Sequence, residues 1–357
     1  MAAGDFINRV NEQIAAQRMW NDPRSNRELQ TPVETAMAVL GEQAVTFQPV
    51  MSGPVCIGVE AIYLKSCNDT VTDCMESGNN LASCAVSGVE AEGVKKTYTP
   101  NVCLTKSIKV SADDCAGFTS FEEKLAFMKL KAKNELEVSL NSKMIAALVA
   151  NAQVNAHPGD GTIDGTTTGF ASANWEGAAG AALISKLHVS AIRNKILNAY
   201  IVNGSNFFEA NFLYNYKEKA GSQDRFDSIF QQGPYRMYWD IFALDAAVGD
   251  PSSFMIEPSA IAFFNQNEYE NSEKRELKSD LWVYKEPSMR LTYRDGQATK
   301  PVYFDVTEEW TCAVSGNDPV KHRRYSVVNV EFVLRGGIIT GPPDCNGGLG
   351  ILHYNQI

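Results

Sequence analysis

Residues 120–157 read SFEEKLAFMKLKAKNELEVSLNSKMIAALVANAQVNAH. Apolar side chains recur at Phe121, Leu125, Met128, Ala132, Leu136, Leu140, Met144 and Leu148, in the steps of three and four that mark one face of an α-helix. Ser120 followed by Glu123 has the form of a capping box, and neither Pro nor Gly interrupts the run before Pro158. The pattern predicts one helix over 120–157, about 55 Å long at about 1.5 Å per residue. Each step of four overshoots a turn by about 40°, so the stripe winds around the rod and its two ends should meet different neighbours.

The rest of the chain sets limits on what this strut can serve. With 357 residues, 44% hydrophobic and 21% charged, the protein can bury a substantial core in two or three subdomains. No stretch reaches the roughly 20 apolar residues of a membrane helix, and Met1–Phe6 lacks the pattern of a secretory signal, so synthesis in a cytoplasm is the expectation. A net charge of −10 argues against holding nucleic acid by phosphate neutralisation. The first 50 residues carry no basic arm, and the dense cationic patch Lys321-His322-Arg323-Arg324 follows the turn signal Gly316–Pro319 and reads as a solvated loop or a subunit ion-pair site.

Cysteines crowd into one segment: Cys56, Cys67, Cys74, Cys84, Cys103 and Cys115, with only Cys312 and Cys345 elsewhere. The segment has no CxxC pair and no histidine, so zinc is not indicated. Disulfides formed after release from a reducing cytoplasm and reduced cysteines used as small buried residues both remain open.

Along the chain, Phe6, Ile7, Val10, Ile14 and Met19 predict an amphipathic helix over 5–20 that precedes any core. A second helix is expected over 33–40, opened by Thr31-Pro32 and stopped by Gly41. From 46 to 116, β-branched runs such as Val55–Val59 and Ser107–Val110 alternate with turn residues, predicting an exposed hairpin-like excursion with little core of its own. Leu183, Ile184, Leu187, Ala191, Ile192 and Ile196 predict another helix, closed by Asn203-Gly204, and strands are expected at 254–256, 281–284, 302–306 and 327–334. The fold class is α+β.

Chemistry is hard to find. There is no phosphate loop, dinucleotide fingerprint, HExxH or nucleophile elbow. His157, His188, His322 and His353 are scattered and read as surface or satisfied core residues. Glu308-Glu309 looks like a carboxylate pair, but adjacent strand residues point to opposite faces. Asn68-Asp69-Thr70 and Asn203-Gly204-Ser205 match the glycosylation sequon, which has no meaning without secretion. No catalytic residue, metal or cofactor is expected.

The order of elements, an N-terminal arm, a β excursion, one very long helix, a middle domain and a late return of strands, resembles the major capsid protein of tailed double-stranded DNA bacteriophages, the Hong Kong 97-type fold. Met255–Phe264, an apolar run around Pro258-Ser259-Ala260, looks like the segment with which such proteins cross their axial domain, and Val327–Gly337 looks like their late strand. The resemblance implies an N-terminal arm at 1–48, an extended loop at 49–105, a peripheral domain at 106–182 with the spine helix, an axial domain at 183–299, and returning strands at 300–357. It further implies self-assembly through pentamers and hexamers into an icosahedral shell within a virion, around double-stranded DNA that is not bound by sequence, with portal, scaffold or decoration proteins as further partners. The crowded cysteines depart from the common pattern. An encapsulin-like compartment and a cysteine-rich extracellular binding module are the alternatives.

Overall fold

The computed structural model describes residues 31–52, 55–65, 92–112, 120–152, 162–164, 167–170, 189–194, 198–205, 231–232, 235–248, 252–295, 298–315, 323–342 and 349–356, with Arg18, Asn21 and Ile196. In chain order its elements are α1 (Glu34–Glu42), β1 (Phe47–Ser52), β2 (Val55–Lys65), β3 (Glu92–Tyr98), β4 (Val102–Ser111), α2 (Phe121–Ala150), β5 (Thr162–Asp164), β6 (Thr167–Phe170), β7 (Tyr200–Asn203), β8 (Gln231–Gln232) and β9 (Tyr235–Trp239). There follow α3 (Ile241–Val248), β10 (Ser252–Ile256), β11 (Ile261–Asn265), β12 (Arg275–Lys278), β13 (Leu281–Asp295), β14 (Ala298–Ser315), β15 (Arg323–Thr340) and β16 (Ile351–Gln356).

The long helix forms, on the stripe that predicts it. Leu125, Ala132, Leu136, Leu140, Met144 and Leu148 are buried, and Phe121 and Met128 pack at the edge of the same core. Ser120, in extended conformation, caps the helix by accepting the Glu123 amide at 3.1 Å. The stripe does wind: Phe121 meets Trp310 of β14 edge-on at 6.1 Å, whereas Asn141, five turns on, lies against α1 and the start of α3. The helix stops at Ala150 instead of His157, giving about 45 Å. Asn151 stops it without Pro or Gly, because its side-chain amide donates to the Ala147 carbonyl at 2.7 Å while its backbone amide reaches Ala147 and Leu148.

This helix lies on a six-stranded sheet built around β15, which carries β14 along Arg323–Val333, β4 along Val327–Gly336 and β11 along Gly336–Thr340, all antiparallel. β13 pairs with β14 in a long hairpin, and β12 closes that edge. The helix-facing side chains Ile108, Val110, Phe304, Val306, Val328, Val330, Phe332 and Leu334 are buried in the main core. Arg323 and Arg324 open β15, paired with Ser315 and Val314, so that half of the expected cationic loop is strand backbone. β15 is long and regular, and its pairing extends past the apolar run into the basic pair. Lys321 and His322 lie outside the described residues.

A seven-stranded mixed sheet, ordered β5-β6-β16-β10-β7-β9-β8, sits beside it. Its middle strands β7 and β10 are buried throughout, with Tyr200, Val202, Phe254 and Ile256 joining the main core and Ile201 and Met255 a second one. Asn203-Gly204 therefore closes a strand, not a helix; of the helix expected before it, 189–193 is helical and 183–188 lies outside the described residues. The run Met255–Phe264 crosses between the two sheets, from β10 to β11, through Ser259 at φ 80°. The chain crosses back between β15 and β16, where Gly350 at φ 72° accepts the Glu257 amide at 2.8 Å. A division drawn at residue 299 would pass through one sheet, because β13 and β14 are direct neighbours across it.

The excursion splits into two parts. β1, β2 and β3 form their own three-stranded antiparallel sheet, whose base packs Val45, Val59 and Ala61 on Ala262, Phe264 and Ile339 of β11 and β15. β4 belongs to the six-stranded sheet. The second helix runs through Gly41 to Glu42, since Gln43, the first extended residue, is pinned elsewhere. Pro32 stands before the helix rather than at its first position. Of the expected helix over 5–20, Arg18 is described, helical and exposed, and the rest lies outside the described residues.

Candidate functional site

Beside its apolar stripe, α2 carries Lys129, Lys133, Glu137 and Asn141 in steps of four, which places them in one row along the helix. A row of this kind ordinarily faces water. Here all four are buried, and each meets a partner on another element. The Lys129 ammonium donates to Glu308 of β14 at 3.1 Å, and Lys133 to Glu286 of β13 at 2.7 Å. Glu137 accepts the Ser288 hydroxyl and the Arg290 Nε, both at 2.6 Å. Asn141 donates to Asp240 at 2.9 Å and accepts the Ala36 amide at 2.7 Å.

A break in strand register presents Arg290. The β13–β14 pairing shifts between Pro287 and Thr292, and the Ser288 hydroxyl accepts the amides of Arg290 and Leu291 at 3.2 and 2.9 Å, closing a tight bulge. The bulge turns the Arg290 guanidinium to Glu137, to the Asn134 side chain and to the Thr31 carbonyl, the last two at 2.6 Å. One side chain so joins the hairpin, the long helix and the root of the N-terminal segment.

Asp240 makes a second junction. Fully buried, it accepts the Thr35 amide at 3.1 Å, the Thr35 hydroxyl at 2.6 Å and Asn141, while its other oxygen accepts the Ala243 amide at 3.2 Å and caps α3. The positive ends of α1 and α3 thus share one carboxylate. At the far end of α1, Gln43 donates to the carbonyls of Phe263 and Arg294 and accepts the Phe263 amide, tying α1 to β11 and β13.

The electrostatics suit a fixed frame. Burial alone would push the Glu308 carboxyl up, but Lys129 and Lys274, helped by Trp310, outweigh it and hold it at about 2. Glu308 accepts from Lys274 at 2.9 and 3.1 Å, from the Tyr284 hydroxyl at 3.0 Å and from the Trp310 indole at 2.6 Å. Burial likewise opposes ionisation of Glu286, and Lys133 and Lys129 lower it regardless. Glu34 goes the other way, raised by burial and by Asp240 against Arg290. Asp305 is raised by burial, in part offset by the amides of Glu268 and Tyr269.

Such an arrangement clamps; it presents no poised acid, base or nucleophile. Glu308 and Glu309 point to opposite faces, the first with no exposure and the second out in solvent. His353 is a core residue, stacked on Phe254 at 4.2 Å and within 3.0 Å of the Ser252 hydroxyl. The sequon residue Asn203 is 2% exposed and accepts the Ser253 hydroxyl at 2.7 Å. Cys103, on β4, is exposed with a free thiol, and Cys56 lies in β2 and Cys312 in β14; Cys67, Cys74, Cys84, Cys115 and Cys345 lie outside the described residues, as do His157, His188, His322 and Asn68. Among the described residues no three His, Cys, Asp or Glu side chains gather as a metal site, and no helix is long and apolar enough to cross a membrane. The polar row itself was visible only as a four-residue spacing, since its partners stand more than 95 residues away in sequence.

No family model and no curated protein matches the sequence. Among solved structures the chain is similar to one from Mycobacterium phage Che8, at 11% identity and a TM-score of 0.43 over 87% of this chain and 92% of that one. It is similar to the capsid of cyanophage P-SCSP1u, at 9% identity and 0.46 over 90% and 89%, and to the capsid asymmetric unit of cyanophage Pam1, at 10% and 0.45 over 84% of each.

Proposed function

We propose that this chain is the major capsid protein of a tailed bacteriophage, a structural subunit that assembles with copies of itself into an icosahedral shell enclosing double-stranded DNA. The observation that supports it is a contrast within the fold. A frame of one long helix and a six-stranded sheet is fastened by buried ion pairs, whereas the β1–β3 sheet is a separate sheet whose described packing on that frame is at its base, through Val45, Val59 and Ala61. The β2–β3 ladder continues to Lys65 and Glu92, while Lys95, Lys96 and Thr97 on β3 are exposed. An extended arm on a rigid tile is suited to reaching over a neighbour.

In this reading the peripheral domain is the six-stranded sheet with α2, the axial domain is the seven-stranded sheet, and the β1–β3 sheet is the extended loop. The net charge of −10 fits a wall that encloses DNA without attracting phosphate. Portal, scaffold or decoration proteins would be further partners, and the virion the place of action. Electron microscopy of the purified protein is the test. Closed particles or hexameric and pentameric capsomers are expected; a single sharp monomer peak in size-exclusion chromatography at every concentration would overturn the proposal.

A further inference from the structure

The ladder between β4 and β15 ends where the chain comes in from the β1–β3 sheet, and side chains carry it on. Val102 pairs with Gly336, so the same antiparallel register would set Pro100 opposite Ile338 and Tyr98 opposite Thr340. A proline has no amide hydrogen to give to a ladder. The carboxamide of Asn101 takes its place: it donates to the Ile338 carbonyl at 2.8 Å and accepts the Ile338 amide at 2.9 Å, supplying from a side chain the donor and acceptor of a neighbouring strand. The Asn101 amide itself reaches the Gly336 carbonyl at 3.1 Å. One step further on, the Tyr98 hydroxyl donates to the Thr340 carbonyl at 3.0 Å.

By its backbone, Tyr98 belongs to the β1–β3 sheet. It ends β3 and pairs with Val59 of β2, and its carbonyl oxygen lies so close to Gly58 that a Cβ there would stand 2.3 Å away. Its peptide therefore moves with that sheet while its hydroxyl holds β15. The rest of the base is apolar, Val45, Val59 and Ala61 on Ala262, Phe264 and Ile339, with the Phe47 ring 5.7 Å from that of Phe264. Apolar contact is non-directional and leaves the angle between the sheets open. Hydrogen bonds have direction and fix it. Thr99 and Pro100, both exposed, link the two sheets, and the β2–β3 and β4–β15 ladders lie on either side of them, so the side-chain bonds can open without breaking either ladder.

We infer that Tyr98 and Asn101 form a latch that sets the angle at which the β1–β3 sheet leaves the six-stranded sheet, that its bonds open as one unit, and that the sheet then swings as a rigid body about Thr99-Pro100. The inference rests on the reading of the β1–β3 sheet as an arm. Two measurements on the full-length, dissociated subunit test it, and they answer separately from shell assembly, which electron microscopy tests. In Tyr98→Phe, which keeps the ring and removes one bond, the amides of Asn101 and Ile338 should exchange hydrogen at least about fivefold faster, although the hydroxyl touches neither, while the amides of the β2–β3 ladder keep their protection. Nitroxides carried on p-acetylphenylalanine at the exposed positions Thr97 and Thr105, one on each sheet, should give one narrow distance in the parent latch and a broadened one in both Tyr98→Phe and Asn101→Ala. Unchanged exchange at Asn101 and Ile338, faster exchange throughout β2 and β3, or a distance that stays narrow in either variant would overturn the inference.

Discussion

Glu308→Gln tests whether the frame is held by charge. The substitution keeps the shape of the side chain and removes its charge, leaving Lys129, 7% exposed, and Lys274 facing a neutral amide. The carboxyl sits at about 2 against an ordinary 4.5, and a difference of that size corresponds to about 3 kcal/mol of stability at neutral pH. Removal of one partner from a buried ion pair independently gives about 3–5 kcal/mol. Its neighbour supplies the control: Glu309→Gln, on the exposed face, should change stability by less than about 0.5 kcal/mol. Guanidinium unfolding of the dissociated subunit, followed by circular dichroism, measures both. The pH dependence has a definite sign. Because the folded value is depressed, the contribution of Glu308 is complete above the unfolded value near 4.5 and is lost as pH falls through about 2. Between those limits the stability of Glu308→Gln should rise less steeply with pH than that of the parent. A loss under about 1 kcal/mol, or parallel pH profiles for the two proteins, would refute the reasoning.

Arg290→Met should cost about 3 kcal/mol or more, because it leaves Glu137, 3% exposed, facing only Ser288; thermal unfolding measures it. Ser120→Ala removes the cap of α2 and should destabilise by about 1 kcal/mol in the same assay. Gly336→Ala should prevent soluble expression, since a Cβ there would lie 2.1 Å from the Phe264 carbonyl oxygen and force β11 off β15, well beyond the roughly 1–3 kcal/mol of ordinary overpacking.

How much of this was written legibly in the chain depends on the range of the interaction. The apolar stripe and the Ser120 cap are local, and both were readable from spacing alone. The opposite facing of Glu308 and Glu309 follows from strand geometry and was equally plain. The stop at Asn151 was missed because it comes from a single side chain bonding its own preceding turn, not from a helix-breaking residue. The helix ran through Gly41 because the tertiary bonds of Gln43 decide where α1 ends. Lys129, Lys133 and Glu137 carry no local signal of burial, since nothing near them in sequence announces Glu308, Glu286 or the Ser288 bulge. The exchange of the chain between two sheets at Pro258–Ala260 showed as an apolar run, but which sheet each half joins is set by strands that come much later.

The signs along the polar row have a consequence for how the helix finds its place. An apolar stripe alone is nearly indifferent to sliding by one turn, because one leucine replaces another. The charged row is not. Advanced by one turn, Glu137 would confront Glu286; set back by one turn, Lys133 would confront Arg290 and Glu308 would face Leu125. Either slip brings like charges together in a buried site, so the row works as a vernier that reads only one setting of helix against hairpin.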